Sequence, residues 1–238
     1  MKDNEGPVTW KEIWERKGDV VSDDIELKDL IAIDGFDTGA GEFSVDSWLS
    51  LVEEIKLELD INGSHRVLEV GCGAGAFLLP ISISGANVYG IDYSNPHIQL
   101  CKKIMKSGIF RTSEARNIPF EDSFFDAVIS NSVFQYFPNL EYAEKVVCEI
   151  ARVSKKHGRV ALLDINDASK KDEYELIRRS ALGDDEYDRL YGSLSHQFYE
   201  KEWFERIAIN LDLKCEVRDQ DIVGYKNSKL RYNVFLKK

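Results

Sequence analysis

The sequence predicts a doubly wound α/β fold, and three observations carry the prediction. The β-branched run Arg66-Val67-Leu68-Glu69-Val70 enters glycines at alternate positions, Gly71, Gly73 and Gly75, and is followed by the helix-forming Ala76-Phe77-Leu78-Leu79. That pattern reads as a buried strand, a tight turn and a helix start. Asn87-Val88-Tyr89-Gly90-Ile91-Asp92 is a second short apolar strand ending in an acid, at the spacing of about 20 residues at which a carboxylate takes ribose hydroxyls. Beyond it, apolar runs of strand length alternate with helical patterns to the C-terminus, the order that builds a mainly parallel sheet.

Before the first strand, Pro7 to Gly18 predicts a short helix, with Thr9 as N-cap, Glu12 three residues later as its capping-box partner and Gly18 at its end. Trp10, Ile13 and Trp14 share one face, which packs on the body, covers the site, or both. Asp34 to Gly41 reads as a glycine-rich loop near the site entrance, and Phe43 to Leu59 as an amphipathic helix facing the core. The chain therefore divides into a helical lid, residues 1–43, and one domain, residues 44–238. In the turn after the first strand, glycine lets the backbone bend sharply and lets a ligand reach the amides. The helix start beyond it adds free N–H groups and a partial positive charge, suited to something anionic or strongly polar.

After Asp92, Tyr93-Ser94-Asn95-Pro96 opens a helix with Pro96 in its first turn and an apolar face of Ile98, Cys101, Ile104 and Met105. His97, on that first turn, reads as a surface residue. A third strand at Ile109 to Thr112 brings Glu114 and Ala115 to the same sheet edge. A buried fourth strand ends at Ser130-Asn131-Ser132-Val133-Phe134-Gln135-Tyr136-Phe137-Pro138, where an open α/β sheet places its ligands. Leu140 to Ser154 is an amphipathic helix, Lys155 to Arg159 a turn that leaves His157 exposed, and Val160 to Ile165 the fifth strand. Residues 168–195 are highly charged with few large aliphatic side chains and read as an inserted helical cap. Trp203, Phe204 and Ile207 then mark a packing helix, with strands six and seven at about Leu213 to Asp219 and Leu230 to Leu236.

Composition narrows the function. The 238 residues are 43% hydrophobic, enough for one well-buried domain, and the formal net charge is −11. That charge argues against sequence-independent nucleic-acid binding, which relies on basic side chains at the phosphates. Cys72, Cys101, Cys148 and Cys215 are widely spaced, without C-x-x-C, so neither a metal site nor a disulfide framework is expected. No apolar run reaches membrane-span length and the N-terminus is unlike a secretory signal, so a cytoplasmic protein with no membrane partner is expected.

Gly71-x-Gly73-x-x-Ala76 also fits the dinucleotide-binding fingerprint, and an acid after the second strand suits that reading equally. Glu69, two residues before the first glycine, and Ser113-Glu114-Ala115 after the third strand give the sequence its resemblance to the class I S-adenosylmethionine-dependent methyltransferases, over roughly Leu49 to Lys238. The resemblance implies a Rossmann-like sheet of seven strands with an antiparallel last strand and helical caps, and S-adenosylmethionine as cofactor. It implies that Gly71, Cys72, Gly73 and Gly75 admit the methionine portion, Glu69 orients its amino group or the loop, and Asp92 binds the ribose. Tyr93, Ser94, Glu114, Ala115 and Asn131 complete the expected cofactor site.

For the acceptor, N-S-V-x-Q-Y-F-P at residues 131–138 resembles small-molecule methyltransferases and lacks the N-P-P-Y motif of enzymes acting on nucleic-acid bases or glutamine amides. Gln135 and Tyr136 are expected to line the transfer site, and Trp10 and Trp14 to cover it, where aromatic rings favour a cationic sulfur. The His196-to-Tyr199 loop resembles sugar and surface-polysaccharide methyltransferases. It makes His196 the expected general base, its ordinary pKa near 6.5 suiting that work, with Tyr199 beside the acceptor. The expected acceptor is a small molecule, a sugar or glycan-precursor hydroxyl; an amine acceptor and a non-catalytic cofactor-binding subunit are the alternatives. The sequence leaves the oligomeric state open.

Overall fold

A computed structural model describes residues 9–19, 24–37, 41–192 and 194–238. Seven strands form one sheet: β1 (Arg66–Val70), β2 (Asn87–Asp92), β3 (Ile109–Thr112), β4 (Phe125–Asn131), β5 (Ser154–Asn166), β6 (Lys214–Asp219) and β7 (Arg231–Lys237). Their order is β3-β2-β1-β4-β5-β7-β6. Strands β1 to β5 run parallel, and β7 lies antiparallel between β5 and β6. The strand order reverses between β1 and β4, and the crevice beyond that reversal is where such sheets take ligands.

Period-two alternation assigns each strand residue to a face. Val67, Ala127, Ile129, Ala161 and Leu163 join the core beneath α3 (Val45–Glu58), α4 (Leu78–Ile83) and α5 (Asn95–Ile104). Leu68, Val70, Val128, Val160 and Leu162 join the core beneath α6 (Leu140–Val153) and α9 (Lys201–Asn210). Glu69, two residues after Val67, therefore points to the α3–α4–α5 face. It is 3% exposed.

The segment expected to form a lid contains, among its described residues, α1 (Trp10–Gly18) and α2 (Leu27–Ile33). The expected capping box of Thr9 and Glu12 starts α1. Sequence reading missed α2, whose signal was a Glu26–Asp29 capping box and whose Leu30 and Ile31 are buried in the core. Pro7, Val8 and residues 38–40 of the expected glycine-rich loop lie outside the described residues. The insert forms α7 (Lys171–Leu182) and α8 (Asp184–Tyr191).

Two expectations need correction. Strand β5 begins at Ser154 rather than Val160, because Ser154 pairs with Phe125 and Arg159 with Ala127. The residues between form a bulge, with His157 exposed at φ 68°. His97 is not a surface residue: it is 1% exposed. The lid helix α1 covers the first turn of α5, so close that a Cβ on Gly18 would stand 2.9 Å from both the backbone nitrogen and Nδ1 of His97. Desolvation there, then Lys17, lowers the His97 pKa to about 4.

Trp48 joins these layers. It is 1% exposed, and its indole Nε1 donates to the Ala76 carbonyl at 3.0 Å, tying α3 to the end of the glycine turn. Trp48→Ala removes both the packing and the bond, and is expected to cost about 3–5 kcal/mol in urea denaturation.

Candidate functional site

A cavity of about 630 Å3 opens at the carboxyl ends of β1, β2 and β4. Its floor is the glycine turn. Gly71 and Gly73 line it and sit at φ 77° and 48°, where a side chain is strained. A Cβ on Gly71 would come within 2.5 Å of Val133, and one on Gly73 would collide with the Asp34 carboxylate. Gly75 turns the other way, against Met105 and Cys101 of the α5 segment, so it shapes the turn and does not meet the cavity. Cys72 lines the cavity, and its thiol is raised well above the ordinary range by hydrogen bonding to Cys101 and by burial.

Three carboxyl groups meet at this turn, all on the cavity wall. Asp92 ends β2; its Oδ2 accepts from Gly73 N at 3.0 Å and its Oδ1 from Ser94 N at 2.8 Å. Glu69 has no partner for its Oε2 among the described residues. Asp34, which follows α2, was absent from the sequence-derived site. Its Oδ1 accepts from Ala74 N at 2.6 Å and its Oδ2 from Ala76 N at 3.2 Å. The lid thus supplies the acceptor for amides at the start of the turn's helix. An aspartate closing a distant helix gives no local pattern, so its neighbours along the chain offered no signal.

Burial raises the cost of ionising all three acids, and Asp92 adds to it for Asp34 and Glu69. Desolvation pushes Asp34 up to about 7, against the two amide bonds that lower it, and Asp92 adds to the rise. Desolvation likewise pushes Asp92 up to about 6. Glu69 goes well above the carboxylate range through burial, then through Asp34 and Asp92. None of the three forms an ion pair among the described residues. A cationic group in the cavity would satisfy them; a pyrophosphate would be repelled.

The remaining expected residues separate into two groups. Tyr93, Glu114, Ala115, Asn131, Trp10, Trp14 and Tyr136 line the cavity. Trp10 and Trp14 pack edge-on against Tyr136, at ring-centroid distances of 4.9 and 5.3 Å, so the lid closes this wall. Ser94 is fully buried and does not itself line the cavity; its hydroxyl meets Nδ1 of His97, which does, at 2.8 Å. Gln135 is 2% exposed, its Nε2 donating to Ser132. Tyr199 does not line the cavity: it is fully buried, and its hydroxyl donates to the Phe134 carbonyl at 2.8 Å. Its ring belongs to the core beneath α9.

His196 stacks behind Trp10, at 4.7 Å between ring centroids. Its Nδ1 lies 3.0 Å from Arg178 Nη1, and an arginine can only donate, so Nδ1 is the acceptor and the ring proton sits on Nε2. Burial, then Arg178 and Arg231, lower its pKa to about 3. The expected general-base role does not fit this ring, whose basic nitrogen is already engaged.

Residues 68–162 match the methyltransferase-domain family. The chain is 30% identical over 149 residues to the demethylmenaquinone methyltransferase of Thermotoga maritima, across 62% of this chain and 59% of that protein. It is 29% identical to the phthiotriol/phenolphthiotriol dimycocerosates methyltransferase of Mycobacterium leprae, across 54% of this chain and 47% of that one. The chain thus spans about half the length of these curated relatives. Among solved structures, an S-adenosylmethionine-dependent methyltransferase from Methanosarcina mazei superposes with a TM-score of 0.60 at 18% identity, over 77% of this chain and 96% of that one. The doubly wound fold expected from the sequence is the fold observed.

The collision at Gly73 gives a test of Asp34. Gly73→Ala is expected to lower stability by about 1–3 kcal/mol in urea denaturation. Asp34→Ala in the same chain should recover part of the loss, with a coupling of at least about 0.5 kcal/mol. Strictly additive effects would mean that Asp34 does not dock on the turn.

Proposed function

We propose that the chain is an S-adenosylmethionine-dependent methyltransferase acting on a small-molecule acceptor. The observation that carries this reading is the set of three carboxyl groups around the glycine turn, Asp34, Glu69 and Asp92, with no ion pair among the described residues. It favours a ligand with positive charge over a dinucleotide pyrophosphate. S-adenosylmethionine, when bound, supplies a methyl group on a cationic sulfur, already activated for transfer.

The chain's own residues then bind, orient and exclude water. Asp92 keeps a lone pair on each oxygen beyond its two amide bonds and accepts the ribose hydroxyls. Glu69 Oε2, unpartnered and buried, accepts from the amino group. Gly71, Cys72 and Gly73 present backbone to the methionine portion, and Tyr93, Glu114, Ala115 and Asn131 enclose the base and ribose. Trp10, Trp14 and Tyr136 close the opposite wall, where aromatic faces stabilise a cation and hold the acceptor in line for attack. Residues 1–43 act as the lid and residues 168–195 as the acceptor cap.

The relatives named for demethylmenaquinone and phthiotriol dimycocerosates support a small-molecule acceptor. A hydroxyl on a ring-bearing acceptor, of which a sugar or glycan precursor is one class, suits the aromatic wall, which stacks on apolar ring faces.

Two measurements test this reading. Charge-assisted hydrogen bonds are worth about 1.5–3 kcal/mol, so Asp92→Ala should weaken S-adenosylhomocysteine binding by about ten- to a hundredfold in calorimetric titration; unchanged affinity would refute the placement.

The second follows from pH. Asp34 and Asp92 have folded pKa values of about 7 and about 6, above the ordinary 3.8. Their contribution to ligand-free stability is full below about pH 4 and is lost as pH rises through about 6 to 7. A cation stabilises the ionised forms, so S-adenosylmethionine binding should release protons and tighten as pH rises from about 5.5 to 7.5. Titrations in phosphate and in Tris at one pH should give different enthalpies. A pH-independent Kd with no buffer effect would remove these acids from the site.

A further inference from the structure

A second polar cluster continues from the cavity wall at Ser132 and Tyr136. Its centre is Arg231, the first residue of β7 and 5% exposed. Arg231 Nε forms an ion pair with Asp164 Oδ1 at 3.7 Å, longer than a hydrogen bond, and neither Nε nor Nη1 has a hydrogen-bond partner among the described residues. Asp164 Oδ1 has none either, because its Oδ2 takes the Ser132 hydroxyl at 2.7 Å and the Tyr225 hydroxyl at 3.1 Å. Asp164 sits at φ 59°, where β5 shifts register against β7 between Leu162 and Ile165. A bulge at a sheet edge re-aims a side chain in this way.

The same neighbourhood holds unpaired acceptors. Gln135 Oε1 and Asn166 Oδ1 are buried without partners. Gln135 Nε2 reaches the Ser132 hydroxyl at 2.6 Å, and Asn166 pairs with Arg231 in the sheet. Of the nine buried side-chain nitrogen and oxygen atoms without partners among the described residues, six belong to Arg231, Asp164, Gln135, Asn166 and Gln220. Buried polar groups are almost always satisfied, so a group of exceptions in one place marks a position for a ligand or for water.

The chemistry is directional. Arg231 lies over the Tyr174 ring at 5.3 Å, and Arg178 Nη1 donates to the Tyr174 hydroxyl at 2.8 Å. The neighbourhood thus combines guanidinium groups that donate with side-chain carbonyl oxygens that accept. In a chain of net charge −11, an anion needs such a local provision. Asp164 beside Arg231 suits a single negative charge better than a dianion, which it would repel.

We propose that the end of the cavity at Ser132 and Tyr136, against which this cluster lies, is the acceptor subsite, and that the acceptor is a small hydroxy- or amino-carboxylate. Its carboxylate pairs with Arg231, and its adjacent O–H or N–H donates to Gln135 Oε1 and Asn166 Oδ1. Methylation of that acceptor rests on the methyltransferase reading; the binding chemistry does not.

The test uses mandelate and mandelamide, which share an aromatic ring and an adjacent hydroxyl and differ in the charge of one group. Each is titrated into the full chain, ligand-free and saturated with S-adenosylhomocysteine, and followed by tryptophan fluorescence, since Trp10 packs on Tyr136 and His196. Mandelate should bind at least about tenfold more tightly, a difference expected of a charge-assisted bond. Arg231→Met should abolish the preference, and Arg231→Lys should keep part of it. Equal binding, no mandelate binding, or a preference that survives Arg231→Met would overturn the proposal. If a substituted chain fails to fold, the wild-type comparison decides alone. Absence of S-adenosylhomocysteine binding would sink the cofactor reading, while the ligand-free titration would still judge this one.

Discussion

Three carboxyl groups gathered around one glycine turn set the terms for the rest of the site. Each loses hydration there; Asp92 makes ionisation of Asp34 more costly, and both make ionisation of Glu69 more costly. Amide donors from the turn compensate part of that loss for Asp34 and Asp92, but Glu69 Oε2 receives none. Such an arrangement is poorly satisfied without a cation, which is what marks it as a candidate binding site.

The turn also joins the lid to the sheet. Asp34 docks from the end of α2 onto the amides of Ala74 and Ala76, and Trp48 of α3 donates to the carbonyl of Ala76. One short stretch of backbone thus receives bonds from two helices that precede it in the chain. Trp10 and Trp14 of α1 meet Tyr136 after β4, so the lid touches both the turn and the opposite wall. Anything that changes charge at the turn acts on the lid's attachment as well.

Charge is distributed unevenly along the cavity and its continuation. Acids cluster at the glycine turn, while Arg231 and Arg178 stand beyond Tyr136 and depress His196. A cationic ligand and an anionic one would each meet complementary charge, and the two would attract each other across the gap. Burial does most to make His196 a poor base, and the same two guanidinium groups that suit an anion add to it.

The doubly wound order, the strand ends and the glycine turn were legible in the chain itself, because they depend on local rules. Period-two runs fix strand faces, glycines fix the turn at Gly71 and Gly73, and the Thr9–Glu12 capping box starts α1. Asp92 and Glu69 could be found because each lies within two residues of a strand end. Asp34, the burial of His97, the core position of Tyr199 and the pairing state of Arg231 were not legible. Each is decided by an element distant in sequence: α2 against the turn, α1 against α5, α9 against the sheet, and β7 against the bulge in β5. Local sequence determines which elements form and which way their side chains alternate. Only tertiary packing decides which polar groups lose water together, and that shared desolvation is what turns ordinary acids and arginines into a site.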